Sequence, residues 1–101
     1  MGNLNSERNG GWCEFHDDLE VLKNGSIPAR GTHISWHGVD LQLRKPLEPG
    51  SEVDVVFLKN TIKVGGKVSY CQPDGEEREY NAGIEFDHSQ EDLVEILLGH
   101  T

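Results

Sequence analysis

The side chains with the most chemical potential in this chain are two cysteines and five histidines, and four of them fall at suggestive intervals. Cys13-x-x-His16 and His33-x-x-x-His37 together imitate the spacing of a four-ligand zinc site. The histidine pair lies within "GTHISWHGVDL", residues 31–41. In a zinc finger the two histidines share one turn of helix, whereas this stretch has the character of a strand broken by a turn. Imidazoles on a strand and in a turn need not converge on one ion. No metal centre is expected, and a Cys/His metal-binding protein is the alternative.

Catalysis finds less support. Cys71 with a histidine, or Ser35 with His33 or His37, would make a nominal dyad, but neither a nucleophile elbow nor a phosphate-binding loop surrounds them. Asp17-Asp18 and Glu76-Glu77 are adjacent pairs, not two carboxylates spaced on one face for acid–base work. A non-enzymatic protein is expected.

Charge narrows the partners. Eighteen acids against nine bases give a net charge of −9, a field that repels phosphate backbones and disfavours DNA or RNA. The partners to expect are basic protein surfaces, or a small ligand held by a few local groups. No apolar run approaches the roughly 20 residues of a membrane span. The polar start "MGNLNSERNGG" has no apolar targeting segment; its loose fit to a myristoylation pattern is read as a plain flexible arm over residues 1–11. Two cysteines make no disulfide framework, so reduced thiols in a cytoplasm are expected.

The elements that would position these groups are mostly strands, in one domain over residues 12–101. Leu19–Leu22 reads as a short strand ending at the turn dipeptide Asn24-Gly25, and residues 29–35 read as extended. Val39, Leu41 and Leu43 alternate with polar residues, and "KPLEPGS" then breaks the strand with Leu47 as an apolar anchor. Val53, Val55 and Phe57 form the next strand, and Lys59-Asn60 turns the chain toward Ile62 and Val64. Gly65-Gly66 suggests a bulge or sharp bend, after which Val68 and Tyr70 continue the alternation. Pro73-Asp74-Gly75 is a turn, and Tyr80, Ala82, Ile84 and Phe86 return. Ser89 then reads as the N-cap of a helix whose stripe is Leu93, Ile96 and Leu97, with Gly99 placed to end it. The predicted barrel filling is Val39, Leu41, Val53, Val55, Phe57, Val68, Ile84 and Phe86, closed at one end by the helix stripe.

From about residue 19 to 98 the chain resembles a PilZ domain, the bacterial family whose typical members bind cyclic-di-GMP. "HISWHGVDLQL" matches the family's [Asp/Asn]-x-Ser-x-x-Gly motif leading into a strand, and "KPLEPGSEVDVVFL" matches the segment after it. "GGKVSYC", "YNAGIEF" and "SQEDLVEILL" complete the order. The resemblance implies an all-β fold, a six-stranded antiparallel barrel with one C-terminal α-helix. Ser35 and Gly38 match the motif, but His33 holds the acidic position, which in the family accepts hydrogen bonds from a guanine edge. A neutral imidazole offers one acceptor nitrogen, and a protonated one offers none.

The family's Arg-x-x-x-Arg motif occurs nowhere. By spacing, Arg8-Asn-Gly-Gly-Trp12 stands in its place, with Arg8 to meet a phosphate and Trp12 to stack on a base. The candidate nucleotide-site residues are therefore Arg8, Trp12, His33, Ser35 and Gly38. A charge-assisted hydrogen bond is worth ~1.5–3 kcal/mol. Losing an arginine clamp and the carboxylate–guanine pair would cost on the order of 10²–10⁴ in affinity. The resemblance thus implies a bacterial, cytoplasmic, non-enzymatic signalling domain, degenerate in nucleotide binding and acting as a protein–protein adaptor in motility, pili, biofilm or virulence control. A cyclic-di-GMP receptor using non-standard residues is the alternative. Under the degenerate reading Ser35 bonds backbone at a strand end and Gly38 supplies the turn.

Overall fold

The computed structural model describes residues 12–57, 61–75 and 78–98. Six strands run β1 (Cys13–Leu22), β2 (Ser26–Ser35), β3 (Gly38–Leu43), β4 (Glu52–Phe57), β5 (Ile62–Pro73) and β6 (Tyr80–Phe86), followed by helix α1 (Glu91–Leu98). They close into an antiparallel barrel in the order β1-β2-β3-β6-β5-β4. Sequential hairpins make most of the pairs. The β3–β6 and β1–β4 pairings close the ring, which abolishes free sheet edges.

Because β3 and β4 are not neighbours, residues 44–51 must cross between them. The crossing is held down by Leu47, which is buried and donates its N–H to Cys71 Sγ at 3.3 Å. Gly50 N–H donates to Val68 O at 2.8 Å, and Val68 N–H to Ser51 O at 2.9 Å. At the β1–β2 turn Asn24 and Gly25 both take positive φ, the conformation for which this dipeptide was suited.

All eight residues predicted to fill the barrel are buried, with Phe57 and Phe86 meeting edge to face at 6.3 Å. The structure corrects several other expectations. Strand β1 is ten residues long, starting at Cys13, and its Phe15 joins the core. Its alternation was obscured by "EFHDD", which carries one apolar residue and a register irregularity between Glu14 and Asp17. No bulge occurs at Gly65-Gly66: β5 stays in register with β4 there, and a Cβ at Gly66 would lie 2.6 Å from Glu85 O. Close strand packing, not a bulge, explains that glycine.

The helix begins one residue later than expected. Gln90, not Ser89, occupies the cap position, its carbonyl accepting from Val94 N–H at 3.1 Å. Leu93 and Val94 are buried and Leu97 packs against the core, but Ile96 is 56% exposed, so the helix is rotated from the predicted stripe. Among the described residues no helix is long and apolar enough to cross a membrane. Arg8 and the rest of residues 1–11, the Lys59-Asn60 turn and Gly99 lie outside the described residues.

Candidate functional site

The outer wall of β3, β6 and β5 carries two adjoining cavities, and irregularities in two strands create them. Along β2, Ala29 and Gly31 pair with Leu43 and Leu41, but the register then shifts so that Ile34 pairs with Val39. The extra residue, Thr32, reverses the alternation, so Ile34 turns into the core and His33 comes opposite Asp40. Along β5, Val68 pairs with inward-facing Ile84, and a second shift puts Tyr70 opposite Gly83. The alternation predicted to continue from Val68 to Tyr70 is therefore broken at Ser69. Cys71 packs against the core, and Tyr70 lies on the outside.

Gly83 is what lets Tyr70 lie down: a Cβ there would collide with the Tyr70 ring. Ser69 Oγ donates to Gly83 O at 3.1 Å, fixing the bulge, and Tyr70 donates its hydroxyl proton to Asp40 Oδ1 at 3.3 Å. The Tyr70–Asp40 pair thus separates two cavities and lines both. One, of about 370 Å³, is bounded by Trp12, His37, Asp40, Ser69, Tyr70 and Glu85. The other, of about 540 Å³, is bounded by Thr32, His33, Asp40, Gln42, Tyr70 and Gln72. Among the described residues lining them, Asp40 and Glu85 are acids and none is lysine or arginine.

The predicted site residues separate accordingly. Trp12 lines the first cavity and His33 the second, so the two do not share one pocket. His33 Nδ1 lies 3.3 Å from Thr32 Oγ1, whose own proton goes to Asp40 O at 3.3 Å. A neutral imidazole has one acceptor nitrogen, and Nδ1 is already engaged with the threonine. Ser35 is fully buried and accepts from His37 N–H at 3.1 Å, closing the two-residue turn between β2 and β3. Its hydroxyl oxygen therefore serves backbone.

Gly38 lines the first cavity, but its role differs from the one expected. It does not take positive φ, and neither do Trp36 and His37. A Cβ at Gly38 would instead lie 2.5 Å from the Ile84 carbonyl oxygen, so glycine is required for β3 to approach β6. Gly38→Ala should cost ~1–3 kcal/mol by overpacking, lowering the thermal midpoint by about 4–8 °C per kcal/mol. An unchanged melt would contradict this account.

The turn also anchors the helix. Phe86 N–H donates to His37 O and Gln90 N–H to Trp36 O, both at 2.8 Å. The tight corner therefore secures the connection from β6 into α1. Among the described residues no three His, Cys, Asp or Glu side chains gather as a metal-ligand set. Sequence reasoning did not single out Asp40, Tyr70 and Glu85. The available signal was Gly83 in "NAGIEF": a glycine between inward-facing Ala82 and Ile84 leaves room on the outer face for a neighbouring aromatic.

The PilZ domain family model matches residues 8–100. The structure of the Bacillus subtilis inhibitor of motility, MotI/DgrA, superimposes with a TM-score of 0.69 over 88% of this chain at 12% identity. At that identity the likeness concerns the fold, and the chain spans 46% of the matched structure's length. No curated protein matches the sequence.

Proposed function

We propose a function from one premise: this chain belongs to the PilZ domain family, a cyclic-di-GMP-binding family. The reading is that of a non-enzymatic bacterial signalling domain, degenerate in nucleotide binding, which acts in the cytoplasm as an adaptor for a protein partner with a basic surface. One observation carries it. The outer groove presents the carboxylates of Asp40 and Glu85, and among its described lining residues no lysine or arginine. A dianionic ligand entering it would lose water and meet like charge. The motif's serine is buried in turn closure, which supports the same reading. The inhibitor of motility with this fold suggests motility control as the output to test first.

The receptor reading has one observation in its favour. Asp40, the cross-strand neighbour of His33, places a carboxylate beside the position where the family pattern has its acid. It also accepts from Tyr70, so a guanine edge would share that carboxylate with the phenol. Isothermal titration with cyclic-di-GMP decides between the two. The adaptor reading expects binding ~100-fold or more weaker than that of a variant with restored arginine and aspartate. Tight binding by the natural chain would overturn it.

A further inference from the structure

We infer that the cavity bounded by Trp12, Tyr70, Asp40 and Glu85 receives one arginine side chain from the partner's basic segment; this rests on the adaptor reading above. The volume of about 370 Å³ has room for a single long side chain. Its walls combine two aromatic side chains with two carboxylates. A cation over an aromatic face is attracted by the ring quadrupole, and a guanidinium adds hydrogen bonds to carboxylate oxygens. Arginine fits better than lysine because its planar group can stack on a ring while donating in its own plane.

The surroundings agree in sign and character. A net charge of −9 steers basic partners toward the protein. Trp36, next to His37 in the turn that borders the cavity, is 44% exposed. A half-exposed tryptophan in the same turn has the composition of an interface anchor. Tyr70 lines this cavity and the adjoining one, and its hydroxyl–Asp40 bond of 3.3 Å holds the carboxylate at their shared wall.

The test uses the whole chain, labelled for NMR, titrated separately with an arginine–glycine repeat peptide, a glutamate–glycine repeat peptide and cyclic-di-GMP. The arginine peptide should shift the Trp12 indole and the Gly83 amide, and the glutamate peptide should shift neither. Glu85 and Glu52 are both exposed and both lie opposite Lys67, so they form a matched pair of carboxylates inside and outside the cavity. Glu85→Gln should weaken peptide binding about tenfold, and Glu52→Gln by less than about twofold. Equal effects of the two changes would show attraction by net charge alone and would overturn the assignment. So would absence of peptide binding, or shifts that leave Trp12 and Gly83 unmoved; the adaptor reading would survive either. Tight binding of cyclic-di-GMP would instead overturn the adaptor reading itself.

Discussion

Truncating Phe57 to alanine should remove ~3–5 kcal/mol of stability, most of what a domain of this size has to spare. Phe57 is fully buried, its ring meets Phe86 at 6.3 Å, and it ends β4 in a closed wall that cannot collapse readily onto the space left. Urea denaturation measures the loss as a lower midpoint at similar slope. The helix supplies an internal comparison. Val94→Ala should cost more than Ile96→Ala, because Val94 is 6% exposed and Ile96 is 56% exposed. A tolerant Phe57 site, or an Ile96 truncation costlier than that of Val94, would refute this packing.

Restoring nucleotide chemistry to the outer groove should bring cyclic-di-GMP binding up by at least ~100-fold. His33→Asp supplies a carboxylate acceptor on the wall of the larger cavity, where the imidazole has one acceptor nitrogen. Trp12→Arg supplies a guanidinium on the wall of the smaller cavity. This pair of changes alone should gain less than the triple variant with Glu85→Gln. A new arginine at position 12 would share its cavity with Glu85 and Asp40, and pairing with them competes with a phosphate. Removing the Glu85 charge frees it, while Asp40 stays to hold Tyr70. The gain should shrink as salt is raised, since exposed charge contacts are screened. Calorimetry in which the triple variant binds no better than the natural chain would show that groove charge is not what limits the nucleotide.

Much of the barrel was legible in the sequence because period-2 alternation is a local property. Val39-Leu41-Leu43 and Val53-Val55-Phe57 each report their inward face without reference to any other strand. Turn dipeptides such as Asn24-Gly25 carry their backbone preference with them. The candidate site was legible only in part. Ser35 could be read as a residue bonding backbone at a strand end, since its hydroxyl acts on an N–H two residues away. Gly38 could be marked as special, but its reason lies in the Ile84 carbonyl, 46 residues further on.

What the sequence by itself determined is most of the strands, part of the barrel's lining and the acidic character; what only the tertiary structure decided is the full length of β1 and which way certain side chains face. Alternation predicts orientation only while register holds. One extra residue at Thr32 carries His33 to the outside, and one at Ser69 does the same for Tyr70. Both shifts are properties of a strand pair, invisible in either strand alone. The helix shows the same limit in simpler form. Leu93 and Leu97 define its stripe, and Val94 and Ile96 flank it at about 80° on opposite sides. Periodicity weighs the two equally. The barrel end against which α1 packs breaks the tie, burying Val94 and leaving Ile96 in water.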